Sequence, residues 1–396
     1  MELLRNPIRP YAWGSHTAIA AVQGRRIPTE GPEAELWMGA HPGDPSTVED
    51  GRTLTDVIAE DPERVLGAAN VRRFGARLPF LFKVLAAEAP LSIQAHPDAA
   101  QARAGFDDEE SQGVPADATV RNYVDPFHKP ELLCAVSEYE CLCGFRDPAE
   151  SAELLSRLNV PALTGTIELL RQDDPAQALR EAVATVMTVP ETLRGALLDQ
   201  VVAECAQLAG EGPGGATYAM AASLGKAYPG DIGVLLALLL NHVVLQPGEA
   251  IYMPAGNAHA YLRGVGVEIM AASDNVLRGG LTAKHVDVPE LLRVLRYEVL
   301  PEPRVAAVEV TPGVREWPTP MPEFRLTHGA VGGLRESVTL LNGGPRILLC
   351  WSGQVRFDDG VQALTLLPGQ AAFVSADATG PVVATGFGEF FQASTA

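Results

Sequence analysis

Two stretches of the chain, set at one constant offset, carry the same punctuation. Residues 245–259 read LQPGEAIYMPAGNAH and residues 366–380 read LLPGQAAFVSADATG, so that Pro247, Gly248, Ala250 and Ala255 match Pro368, Gly369, Ala371 and Ala376. A Pro-Gly turn, a strand, a turn of small residues and a second strand is the rhythm of small double-sheet barrels. The echo therefore predicts a duplicated β unit: a mainly β protein with one cupin or jelly-roll barrel in mid-chain and a second at the end. Where the first copy has His259 the second has Gly380. A metal held by the first would have no counterpart in the second.

The rest of the chain fits around these units. Up to residue 145, short β-rich runs such as LPFLFKVLAAEAPLSIQAHPD alternate with Pro/Gly clusters, as in antiparallel sandwiches or barrels. One early helix is expected over TLTDVIAEDPERVLG, with Thr53 as its N-cap. Beyond Asp147 the texture changes to DPAESAELLSRL, DPAQALREAVATVM and PETLRGALLDQVVAECAQLAG, with apolar residues at helical spacing behind Asp-Pro or Val-Pro steps. The Gly/Pro-rich GEGPGGATY separates the last helices. A chain of 396 residues also exceeds what one core usually serves. The expected organisation is a cupin domain over 1–145 plus 241–299, which the segments considered below make the catalytic candidate, an all-helical insertion over 146–240, and a C-terminal β-barrel domain without metal over 300–396, the α insertion breaking an otherwise β chain.

Charge and cysteine usage exclude several classes. With 30 Lys+Arg against 49 Asp+Glu the net charge is −19, and no basic run is present to follow a nucleic-acid backbone. The same field repels anionic small molecules, so any phosphate site must gather its cations locally. Five scattered cysteines read as reduced thiols, and CLC at 141–143 has no second Cys or His pair at finger spacing. A proline at position 7 comes too early for a signal-peptide core, and the longest apolar run, IGVLLALLLNHVVL, is too short for a membrane span. A cytoplasmic protein with no membrane or nucleic-acid partner is expected; monomer or dimer stays open.

Three segments could carry chemistry. In LSIQAHPD, Ser92, Gln94 and His96 alternate and so share one face of a strand. In DPFHKPELLCAV, His128, Lys129 and Glu131 lead into an apolar strand, where charge is costly unless paired or bound. In YMPAGNAHAYLRGVGVEIMAASDNVLRGGLTAKH, His259 follows a tight turn and Glu268, Asp274, Asn275, Arg278, Lys284 and His285 follow it. Each alone admits a plainer reading: a polar pair at a strand end, an exposed loop, a solvated edge. Together they offer Gln94, His96, Glu131 and His259, a thiolate-free set suited to zinc or another first-row divalent ion and open to water or substrate.

These residues resemble the type I mannose-6-phosphate isomerases. The resemblance rests on YAWGSHTAIA (11–20), AELWMGAHPGDPS (34–46), PLSIQAHPD (90–98), HKPEL (128–132), GNAHAY (256–261) and EIMAASDNVLRGGLTAKHVDV (268–288). It implies a cupin scaffold and one zinc ion per chain, held by Gln94, His96, Glu131 and His259. It implies a reversible conversion of mannose 6-phosphate to fructose 6-phosphate in mannose metabolism, with GDP-mannose synthesis downstream. The family's active-site arginine maps onto Arg278, and its lysines onto Lys129 and Lys284. One departure is TAK at 282–284, where the family has Thr-Pro-Lys, so the backbone before Lys284 lacks a fixed φ.

The chemistry suits these residue types. Proton transfer between C2 and C1 through an enediol requires a base, stabilisation of an oxyanion and a grip on phosphate. Glu268 is the first choice for base, with Asp274 or water at the metal as the alternative. Arg278 can stabilise the enediolate or clamp phosphate, Lys129 and Lys284 add point charge, and Ser92 can donate to phosphate. Trp13, His16, Trp37 and His41 are expected to brace the barrel, and His242 and His285 have no motif support as ligands. The rivals are an iron-dependent cupin oxidoreductase, whose ligand set would hold more histidine and no glutamine, and a sugar-binding protein, in which the ligands or Arg278 need not survive.

Overall fold

A single strand, His259–Ala271, organises the first half of the molecule. Its first residues pair with Tyr139–Phe145 and, at His259, with Ile93–Ala95; its later residues pair with Phe80–Ala87 on one side and Glu131–Ala135 on the other. One strand can serve two sheets only by bending. The bend falls at Gly264, whose φ is +131° and where a Cβ would lie 2.6 Å from the Glu138 carbonyl oxygen.

The computed structural model describes residues 1–210, 212–333, 335–340, 343–378 and 380–396. Glu211 of the Gly/Pro-rich segment and Thr379 of the second β copy lie outside them. The chain is mixed helix and sheet, and its strand pairings are antiparallel. Among the described residues, an eleven-stranded sheet surrounds the bent strand, and a nine-stranded sheet is built around Arg346–Asp358 and Val383–Ser394.

Side-chain alternation sorts three cores. Leu85, Leu133, Cys141, Met253 and Tyr261 face one another inside the first β unit. Ile93, Ala95, Leu142 and Leu277, on the opposite face of their strands, pack against the helices of the insertion. Phe80, Phe82, Val84 and Ile269 point the other way and meet Leu326, Ile347, Phe373 and Phe391 of the second sheet. The first unit is thus sandwiched between helices and the second sheet.

Several local expectations change. Thr53 caps its helix through a full capping box with Asp56, but the helix ends at Glu60, because Pro62 has no N–H to extend it and Asp61 caps a second helix, Pro62–Leu66. Directly after the QAHPD stretch, helix Ala99–Ser111 starts on a capping box of Asp98 and Gln101. Of its residues only Ala102 and Gly105 are buried, so no apolar stripe announces it. The apolar run beginning at Ile232 divides into helix Gly233–Leu238 and strand Leu240–Leu245. Strand Glu2–Leu4 joins the second sheet beside Ala371–Val374, and Arg304–Val305 joins the first beside Ala250–Met253, so both sheets draw on chain beyond the expected boundaries.

Candidate metal centre and active-site cavity

The bent strand sets the site. Arg278, Gln94 and His259 stand opposite one another on three adjacent strands, and all three side chains line a cavity of about 500 Å³. Gln94 reaches Ser92 across the same face, Nε2 to Oγ at 3.4 Å. Facing this row, Lys83 lies opposite Trp37 on one neighbouring strand and opposite Glu268 on the other, and Glu131 lies opposite Met270.

His96, Glu131 and His259 converge, their ligand atoms within 4.8 Å of one another and all three residues buried. Glu131 Oε1 is 3.4 Å from His96 Nε2, and its Oε2 is 3.1 Å from His259 Nε2. The Nδ1–H groups of both imidazoles donate to backbone carbonyls, His96 to Asn275 at 2.7 Å and His259 to Asn257 at 3.0 Å. That fixes each tautomer and leaves Nε2 with its lone pair directed at the cluster, which is how the ring of a metal-binding histidine is held in place. His96 Nε2 is buried without a hydrogen-bond partner, an expensive state that a cation would relieve. The residues present therefore fit a divalent metal.

Electrostatics favour the ligand forms. Burial pushes the His96 pKa down to about 4, aided by the Lys129 charge, so the ring is neutral at pH 7. Burial alone would raise Glu131, but the Lys129 ammonium, 3.1 Å away, holds its carboxyl well below the usual range. Arg278 is half-buried and its pKa is lowered by that burial; among the described residues no carboxylate lies within ion-pair distance of it. Lys284 is exposed at the cavity mouth.

Glu268 is almost wholly buried. Its Oε2 lies 2.6 Å from Lys83 Nζ, and the Tyr261 hydroxyl donates to its Oε1 at 2.5 Å. Burial, with Glu131 nearby, raises its pKa against the pull of Lys83. Asp274, whose carboxyl is about half exposed, behaves otherwise: partial burial acts to raise its pKa, but the His41 Nε2–H group, 3.2 Å away, holds it below the usual value. His41 Nδ1 accepts from the Gly43 N–H, so the proton sits on Nε2.

Other candidates lie elsewhere. His128 turns from its lysine and glutamate neighbours toward Glu323, 2.9 Å away. His242 pairs with Glu140, and His16 bonds the Thr29 carbonyl. Trp13 and Trp37 line the cavity, and Trp37 Nε1–H donates to Glu35 at 2.7 Å. Lys83 and Glu35 escaped the sequence reading. Their signal is a lone lysine inside FLFKVLAA, a strand buried at every position, where an ammonium persists only beside carboxylates.

A family model described as "Phosphomannose isomerase type I, catalytic domain" matches residues 1–148. Mannose-6-phosphate isomerase of Escherichia coli (strain K12) is 38% identical over 393 residues, 98% of each chain. The chain belongs to the mannose-6-phosphate isomerases. Within the family, mannose-6-phosphate isomerase 2 of Arabidopsis thaliana is 33% identical over 95% of this chain and 89% of its own length. The mannose 6-phosphate isomerase of Salmonella typhimurium, solved with fructose 6-phosphate and zinc, superimposes with a TM-score of 0.91 at 36% identity, covering 100% of this chain and 99% of its own. A zinc-bound holo isomerase gives 0.90 at the same identity and coverage.

Proposed function

We propose that the protein is a zinc-dependent isomerase that interconverts mannose 6-phosphate and fructose 6-phosphate by proton transfer between C1 and C2 through an enediol. The observation that carries this reading is the buried His96–Glu131–His259 cluster, with both Nε2 atoms committed to it, two of whose members line a cavity that also gathers lysine and arginine. Zinc there supplies a Lewis acid and an anchor for sugar oxygens. Gln94, opposite His259 on the adjoining strand, is the fourth protein ligand. Lys129 balances the Glu131 carboxylate and faces the same cavity.

Glu268 is the proposed base. Burial raises its proton affinity, whereas His41 makes Asp274 a weaker acceptor. Arg278, with its planar fork, and Lys284, with its mobile ammonium, grip the phosphate, and Ser92 adds a hydroxyl. The first β unit reads as a cupin carrying the site over 1–145 plus 241–299, except that strand Glu2–Leu4 is lent to the second sheet and Arg304–Val305 borrowed from beyond it, the helices of 146–240 as its insertion, and the sheet with its own buried interior over 300–396 as a metal-free second barrel. Five buried, free cysteines suit a reducing cytoplasm; among the described residues no helix is long and apolar enough to cross a membrane.

A coupled assay with mannose 6-phosphate, before chelation, after chelation and after zinc is restored, tests the reading. Activity that is lost and returns with zinc is the expected result. A folded, zinc-loaded protein with no turnover sinks the substrate assignment.

A further inference from the structure

Among the described residues, the helical insertion reaches the cavity at Tyr228, in the short segment YPGDIG, residues 228–233. We propose that Tyr228 and Asp231 in it are positioning residues that hold two walls of the cavity, and with them the grip on the substrate's phosphate. The inference rests on the isomerase reading above.

Tyr228 lines the cavity, and its hydroxyl donates to the Pro90 carbonyl at 2.7 Å, at the start of the segment that carries Ser92 and Gln94. Asp231 divides its carboxylate. Oδ1 accepts from the Gly233 N–H at 2.7 Å, and Oδ2 accepts from the Thr282 N–H at 3.0 Å. Thr282 Oγ1 in turn accepts from the Lys284 N–H at 3.0 Å. A carboxylate from the insertion therefore organises the turn that follows Arg278 and ends at Lys284.

Two further features show that this contact is built. Gly280 and Gly233 meet backbone to backbone: a Cβ at Gly280 would lie 2.5 Å from Gly233 Cα, and one at Gly233 would lie 2.7 Å from the Leu281 nitrogen. Side chains at either position would keep Asp231 from the turn. Leu281 has φ +56°, in the left-handed region. A non-glycine residue is disfavoured there by about tenfold, roughly 1.4 kcal/mol, and persists only where its surroundings impose it.

Without the second acceptor oxygen, Thr282 N–H loses its partner and Leu281 is free to leave the left-handed region. If the turn is then competent about one-tenth of the time, apparent affinity falls by about tenfold. A grip on phosphate acts on substrate and transition state alike, so KM carries the loss while kcat does not. A purely structural role would lower stability or kcat and leave KM alone.

The test uses Asp231→Asn, which keeps the size and one acceptor, with Tyr228→Phe beside it, both on the zinc-loaded full chain. For Asp231→Asn, KM for mannose 6-phosphate and the competitive Ki for inorganic phosphate should rise together by about tenfold, with kcat within about twofold. Amide exchange over 281–284 should quicken. Tyr228→Phe should raise both constants by about threefold, and it decides the matter if Asp231→Asn does not fold. Unmoved KM and Ki in folded variants, or a loss confined to kcat, would overturn the inference while leaving the isomerase reading intact. A wild type without isomerase activity would sink both.

Discussion

Lys83 is the strongest place to test whether charge or packing holds the site. Its ammonium lies 2.6 Å from Glu268 Oε2 and 3.4 Å from Glu35 Oε1, and no member of the trio is more than 8% exposed at its side chain. At an effective dielectric near 20 the two attractions come to roughly 6 and 5 kcal/mol. Much of that offsets desolvation, so removing the cation and stranding two buried carboxylates should cost about 3–5 kcal/mol. Lys83→Met keeps most of the aliphatic volume, so its packing cost stays below about 1.5 kcal/mol. The sign with pH separates the two sources. In wild type, burial opposes the charge on Lys83, but Glu268, Glu35 and Glu131 hold its pKa above the usual value. Burial already raises the Glu268 pKa in wild type, and the variant removes the Lys83 charge that opposes the rise, so the folded protein takes up a proton at Glu268 as pH falls. The deficit should therefore be full at pH 8 and shrink toward pH 5.5. Thermal unfolding of both proteins under saturating zinc at the two pH values measures it, and Lys83→Met with Glu268→Gln should recover most of the loss. A deficit equal at both pH values, or unrelieved in the double variant, would refute the electrostatic reasoning.

A second titration lies far from the cavity: His328 packs edge-on against Phe391, 3.6 Å from Glu389, and burial followed by Arg315 lowers its pKa to about 4. Above about pH 6.5 it is neutral in both states; below that the unfolded chain binds the proton first, so stability is lost toward pH 4 by up to roughly 3 kcal/mol. His328→Gln should flatten that part of the pH–Tm curve, and an unchanged slope would remove His328 as its source. Deleting residues 301–396 uncovers Leu36, Met38, Phe80, Phe82, Val84, Leu132, Val267 and Ile269. At about 1.5–3 kcal/mol for each buried side chain, the loss rivals the whole stability of a domain, about 5–15 kcal/mol. The truncated chain should fail to give a cooperative transition; a stable, active product would show the second sheet to be dispensable.

The parts of the fold that local chemistry dictates were legible. The Pro247-Gly248 turn, the Thr53 cap and the Asp-Pro helix starts each act within a few residues, and each stands where the sequence places it. Helix Ala99–Ser111 was missed because it buries so little that apolar spacing is blind to it, although Asp98-x-x-Gln101 was a readable start. The metal cluster was legible through motifs, and His96, Glu131 and His259 do converge. The ring beside them was not. Lys83, Glu35, Glu268 and Tyr261 meet across three strands, and strand register, a non-local property, decides who faces whom. The pairing of Glu2–Leu4 with Ala371–Val374 is non-local in the same way, and no periodicity at the N-terminus reports it.

Charge balance inside the cavity explains how an anion is held by a chain with a net charge of −19. Four carboxylates, Glu35, Glu131, Glu268 and Asp274, and four cations, Lys83, Lys129, Arg278 and Lys284, line it. They are not equivalent. Lys83 is committed to Glu35 and Glu268, Lys129 to Glu131, and Asp274 to His41. Among the described residues Arg278 and Lys284 have no carboxylate at ion-pair distance, so their field is the part of the lining not already neutralised. A phosphate carrying close to two negative charges meets least repulsion and most donor capacity there. The paired lysines serve another purpose: they let buried acids remain charged beside the His96–Glu131–His259 cluster. Position along the cavity is thus set by which cations are spoken for, and the turn that presents Lys284 is the one held from the insertion by Asp231.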